Sequence, residues 1–112
     1  MPRTLSLVEI LRYVNQIIDN NGEGIIWIGK SRQLISKIPT HKGIYYELKV
    51  TYGDGEEKVI FHSFNKEILK RMVTYHVLDK RNRSGVKSFM ITTKNYEKYE
   101  PEGEDNLFFI DN

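Results

Sequence analysis

Ile44-Tyr45-Tyr46-Glu47-Leu48-Lys49-Val50-Thr51-Tyr52 alternates without a break. Ile44, Tyr46, Leu48, Val50 and Tyr52 fall on one side, and Tyr45, Glu47, Lys49 and Thr51 on the other. A period of two puts one side of a strand into a core and leaves the other toward solvent. Gly53-Asp54-Gly55 then turns the chain into Lys58-Val59-Ile60-Phe61-His62, so residues 44–64 read as a β-hairpin. The fold class that follows is α+β, mostly β.

Upstream of the hairpin, residues 39–43 read as a loop. Before them, Ile25-Ile26-Trp27-Ile28 is a β-branched and aromatic run between Gly24 and Gly29. It reads as a strand that bends at Gly29 and continues through Arg32-Gln33-Leu34-Ile35. Residues 7–20 have a different period. Leu7, Leu11, Val14 and Ile18, flanked by Val8, Ile10 and Ile17, form the apolar stripe of an amphipathic helix. Ser6 with Glu9 makes a capping box, Leu5 can staple onto Ile10, and Asn20-Asn21-Gly22 supplies the stop.

Downstream, residues 66–79 predict a second helix capped by Asn65, with Ile68, Leu69, Met72, Val73, His76 and Val77 on one stripe. Residues 80–85 read as a polar exit loop, 86–93 as a strand, 94–106 as an acidic loop and 107–110 as a short last strand. No repeat or linker divides the chain. The expectation is one domain over residues 1–112, an N-terminal helix in 1–22 and a barrel in 23–112 that carries the helix 66–79.

The 112 residues suffice for one hydrophobic core. With no cysteine, disulfides, thiolate metal sites and cysteine nucleophiles are excluded. The longest apolar runs have four residues, far short of a membrane span, and Glu9 and Arg12 interrupt any secretory leader. A soluble, cytoplasmic protein is expected, with no membrane partner. Charge is divided along the chain. Residues 1–29 carry two Lys/Arg against three Asp/Glu, residues 30–87 thirteen against six, and residues 88–112 two against six. A basic middle points toward a polyanion, although a charged surface also serves solvation alone.

After the first helix the order is β-β-β-α-β-β, the order of an OB-fold, a five-stranded and partly open Greek-key barrel. The first sixty residues also resemble the N-terminal domain of the exonuclease VII large subunit. The resemblance lies in the leucine-rich opening Leu5-Ser6-Leu7-Val8-Glu9-Ile10-Leu11 and in Trp27-Ile28-Gly29-Lys30-Ser31. It continues in His41-Lys42-Gly43-Ile44-Tyr45-Tyr46-Glu47-Leu48-Lys49 and in Val59-Ile60-Phe61. Lys30 stands where that family has Glu, and the stretch before His41 is longer. The resemblance implies an OB-fold that binds single-stranded DNA, without the cleavage activity.

Single-strand binders combine a basic groove with aromatic rings on which bases stack. The stacking candidates are Trp27 and Tyr45; the phosphate candidates are Lys30, Arg32, Lys49, Lys58, Lys80, Arg81, Arg83 and Lys87. The alternatives are core or rim packing for the two aromatics and a plain solvated surface for the cations. Residues 24–31 match the phosphate-loop pattern G-x-x-x-x-G-K-S, but a helix precedes Gly24 and the would-be loop is itself a strand, so nucleotide hydrolysis is rejected. Glu47-Leu48-Lys49 has nuclease-like Glu-x-Lys spacing without an upstream Asp partner. His41, His62 and His76 stand apart from other ligand types, so no metal or other cofactor is expected. Residues 102–111 admit two readings, a closing strand or an acidic partner-recruiting tail. The expectation is a non-catalytic protein that binds single-stranded DNA or RNA, the alternative being a small protein-binding adaptor or inhibitor of a nucleic-acid-processing enzyme.

Overall fold

The computed structural model describes residues 7–83, 89–93 and 107–110. Its elements run α1 (Leu7–Asn21), β1 (Gly24–Ile28), β2 (Ser31–Thr40), β3 (Gly43–Thr51), β4 (Glu57–Ser63), α2 (Lys66–Arg83), β5 (Phe89–Thr92) and β6 (Leu107–Ile110). The strands form one sheet in the order β4-β3-β2-β1-β5-β6, antiparallel throughout except that β6 runs parallel to β5.

The sheet is open, and the expected barrel does not form. Both helices lie on one face and fill it, so the core sits between helix and sheet. There Ile10, Val14, Ile17 and Ile18 of α1 meet Leu69, Val73 and Val77 of α2 over Ile26, Ile28, Ile35, Leu48 and Ile91. α2 carries the chain across that face from β4, at one edge, to β5 beside β1. The segment 107–110 is a strand as expected, but it extends the sheet beyond β5 and closes nothing.

The supposed bent strand is two strands. Ile28 pairs with Ser31 across the turn Gly29-Lys30, and Gly29 at φ 60° provides the left-handed first turn residue that a tight hairpin favours. Residues 39–43 are likewise a hairpin, with Pro39 and Thr40 in β2 and Gly43 in β3. Thr40 Oγ1 donates to the Gly43 carbonyl at 2.7 Å and accepts from the Lys42 N–H at 3.2 Å. Pro39 is tolerated because β1 pairs β2 only as far as Ile35. Beyond that point β2 is bonded on one side, so the missing N–H disrupts no ladder.

The helix readings hold in outline. α1 ends at Gly22, whose N–H donates to the Ile18 carbonyl at 3.0 Å with φ 72°. Asn65 caps α2, its Oδ1 accepting from the N–H groups of Glu67 at 2.9 Å and Ile68 at 3.2 Å. α2 continues to Arg83, so residues 80–83, expected in an exit loop, form its last turn. The predicted strand 86–93 is observed over Phe89–Thr92. The Ser6 and Leu5 caps and the loop 94–106 fall outside the described residues. Lys70 Nζ donates to both Asp19 carboxylate oxygens at 2.9 Å, tying α2 to α1, and this bond holds the Asp19 carboxyl below its ordinary range.

α1 reaches the sheet where Gly24 lets it. A Cβ at Gly24 would run into the Ile17 side chain and stand 3.3 Å from the Thr92 carbonyl oxygen. Gly24→Ala is therefore expected to lose about 1–3 kcal/mol through overpacking. Urea unfolding should show a lower midpoint at unchanged slope.

Between α2 and the strands β3 and β4 lies a cavity of about 530 Å³, bounded by Leu48, Ile60, Phe61, Met72, Tyr75 and His76 among others. His76 Nε2 is buried with no hydrogen-bond partner. Burial, and secondarily the nearby Lys80 charge, pull the His76 pKa below its ordinary 6.5. In the window beneath pH 6.5 the unfolded chain thus holds more protons at this site than the folded one. The stability contributed is complete above that pH and is lost as pH falls through the window. Urea midpoints at pH 7 and pH 5 should converge in His76→Leu relative to the parent.

Candidate nucleic-acid interface

The face of the sheet turned away from the helices has two zones. Over β1 and β5 it is closed, with Ile25, Trp27 and Met90 buried and Leu34 packed against them. Over β3 and β4 it is open. The register sets its side chains in rows: Ile38 beside Tyr45, Ser36 beside Glu47 and His62, Leu34 beside Lys49 and Val59, and Arg32 beside Thr51 and Glu57.

At one end of the open zone three aromatic rings meet. The Tyr45 ring centre lies 5.7 Å from that of His62 and 5.3 Å from that of Phe64, the latter edge-on at 63°. Phe64 is 54% exposed, His62 is exposed and Tyr45 is half-buried. Such contacts hold the rings in place while leaving apolar area to a further planar group. The exposed turn residues His41 and Lys42 follow β2 at the same end. Toward the other end of β3, about 14 Å and about 20 Å away at the rise of a strand, stand Lys49 and Arg32. Lys49 Nζ is 3.7 Å from Glu57 Oε2.

The site residues expected from sequence separate accordingly. Tyr45, Arg32 and Lys49 share the open face. Trp27 lies on the same side of the sheet but is 6% exposed, so its indole offers no surface for stacking. Lys30 is exposed in the β1–β2 turn, and Lys58 lies on the helix side of β4 by its pairing with Val50. Lys80, Arg81 and Arg83 lie in the last turns of α2, across the sheet from Tyr45. Lys87 lies outside the described residues. Among the described residues, the basic middle of the sequence is thus spread over both sides of the sheet.

His62 and Phe64 were not among those candidates. Their spacing of two residues is the available signal, but the face they occupy depends on a bulge in β4. Lys49 pairs with Val59 and Leu48 with Phe61, so Ile60 is the extra residue. Were the same residues paired without the bulge, Phe61 would stand opposite Glu47 on the open face and His62 opposite Tyr46 on the core side.

Glu47 and Lys49 point to the open face from one strand, and no cluster of three or more His, Asp or Glu residues suited to a metal occurs among the described residues. Among the described residues, no helix is long and apolar enough to cross a membrane. The chain matches no protein-family model, no curated protein and no solved structure.

Proposed function

We propose that the protein is a non-catalytic binder of single-stranded nucleic acid, DNA or RNA, that lays unpaired bases on the open sheet face. The observation carrying this reading is the trio Tyr45, His62 and Phe64, in which the half-buried Tyr45 ring lies against two exposed rings on the solvent side of an open sheet. Every base has a π-face, so such a platform favours unpaired bases over a stacked duplex. Arg32, Lys49 and Lys42 are the cations placed to meet the backbone of a strand crossing the rings. The resemblance of residues 5–62 to the exonuclease VII domain agrees with this ligand, although the open sheet differs from that family's barrel.

The geometry also separates this reading from one based on net charge. Two or three phosphate contacts give a shallow salt dependence, a log–log slope of about −1.5 to −2 for a single strand. The test is a titration of fluorescein-labelled oligothymidine followed by anisotropy at several salt concentrations, with the matched duplex as competitor. Binding with that shallow slope, poor competition by duplex and unchanged Trp27 emission is the expected result. Absence of binding at about 50 mM salt, or equal competition by duplex, overturns the proposal.

A further inference from the structure

The row of side chains next to the ring trio contains an acid. Glu47 follows Tyr45 by two residues on the open face of β3, with Ser36 opposite it on β2 and His62 opposite it on β4. Directly opposed residues of an antiparallel pair have Cβ atoms about 4.5–5.5 Å apart, so Glu47 stands beside His62 and against the flank of the trio. It is half-buried. Among the described residues its carboxylate has neither a hydrogen bond nor an ion pair. The cation two residues along the same strand, Lys49, leans the other way, toward Glu57, which pairs with Thr51 farther along β3. Lys37, near it in sequence on β2, pairs with Tyr46 and belongs to the opposite side of the sheet.

Such a carboxylate repels phosphate, and it lies beside the rings rather than beneath a base laid on them. What it meets there is the edge of that base. An ionised carboxylate accepts hydrogen bonds and donates none. Guanine presents N1–H and N2–H side by side, two donors for the two carboxylate oxygens, and a paired, charge-assisted contact of this kind is a strong one. Cytosine and adenine present a single exocyclic amine next to an acceptor nitrogen. Thymine and uracil present one N3–H between two carbonyl oxygens, which a carboxylate repels.

We propose that Glu47 makes the open face selective for guanine and sets it against thymine and uracil, an inference that rests on reading this face as a single-strand site. The base lies on the trio with its Watson–Crick edge turned to Glu47, while Lys49 and Arg32 meet the phosphates farther along the face. That edge is free only in an unpaired base, so base selectivity and preference for single strands have one origin.

The test compares, by anisotropy, short thymidine oligonucleotides that are uniform or carry one central guanine, inosine or cytosine. The parent is expected to bind the guanine strand about 5–150-fold more tightly than the uniform strand, the range of a good bidentate base contact. Inosine, which lacks the N2 amine, is expected to fall between them. Glu47→Gln has the same shape and is expected to keep the thermal midpoint. It should lose most of the guanine preference and of the difference between guanine and inosine, while binding the uniform strand more tightly because a negative charge has left the face. A parent that binds all four strands equally overturns the inference and leaves the single-strand reading standing. So does a Glu47→Gln variant that tightens every strand alike, for Glu47 then acts only as a charge set against phosphate. No binding of any strand overturns the reading itself, and the selectivity with it.

Discussion

Leu69→Ala is expected to destabilise the protein by about 2–5 kcal/mol, against under about 1 kcal/mol for its neighbour Ile68→Ala. Leu69 is fully buried and belongs to the cluster through which α2 holds both α1 and the sheet. Removing its side chain beyond Cβ loses the transfer energy of three carbons and leaves a cavity that rigid strands cannot fill. Ile68 is 43% exposed, so much of its side chain is already in water. Urea unfolding measures both variants. Equal losses would mean that α2 is rotated from the orientation described.

Tyr45→Ala and Phe64→Ala are each expected to weaken oligonucleotide binding by about 1–3 kcal/mol, or roughly five- to 150-fold. Phe64→Ala is the cleaner of the two, since more than half of Phe64 is already in water. Tyr45 also packs against Phe64 and His62, so the double variant should lose less than the sum of the single losses. Trp27→Ala is the contrasting case. The buried indole contributes to folding, and its removal should cost about 3–5 kcal/mol of stability, with any loss of binding tracking the unfolded fraction. Anisotropy titrations paired with thermal midpoints separate the two behaviours. Full-strength binding by the Tyr45/Phe64 double variant would remove the aromatic platform from the mechanism.

Much of the architecture is legible in the residues. The alternation over residues 44–52 names the two faces of β3 correctly, with Leu48 and Val50 buried and Tyr45, Glu47 and Lys49 turned away from the core. The stripe of α1, its Gly22 terminus and the Asn65 cap of α2 are local features, and local chemistry suffices for them. For the candidate site the same alternation finds Tyr45 and Lys49. It cannot find that Trp27 is buried, because both faces of β1 are covered and Ile25-Ile26-Trp27-Ile28 has no polar residue to mark an outside.

What local pattern leaves open is counting across strands. Arg32-Gln33-Leu34-Ile35 taken alone chooses neither face, since Leu34 shares one with Arg32 and Ile35 the other with Gln33. The two-residue turn at Gly29-Lys30 sets Ile28 opposite Ser31, which puts Gln33 opposite Ile26 and Val50 in the core and Leu34 on the other face. Gln33 meets the cost in part by donating from Nε2 to Ser31 Oγ at 2.8 Å. The single extra residue at Ile60 likewise exchanges Phe61 and His62 between core and platform. Because side chains alternate with a period of two, one residue more or less in a turn or bulge inverts every face beyond it. Barrel or open sheet is a longer-range matter of the same kind. Element order allows both, and the packing of two helices on one face, with β5 beside β1, selects the open sheet and so leaves the other face bare over β3 and β4. Composition and period are properties of neighbouring residues, whereas register and closure depend on contacts between residues far apart in the chain.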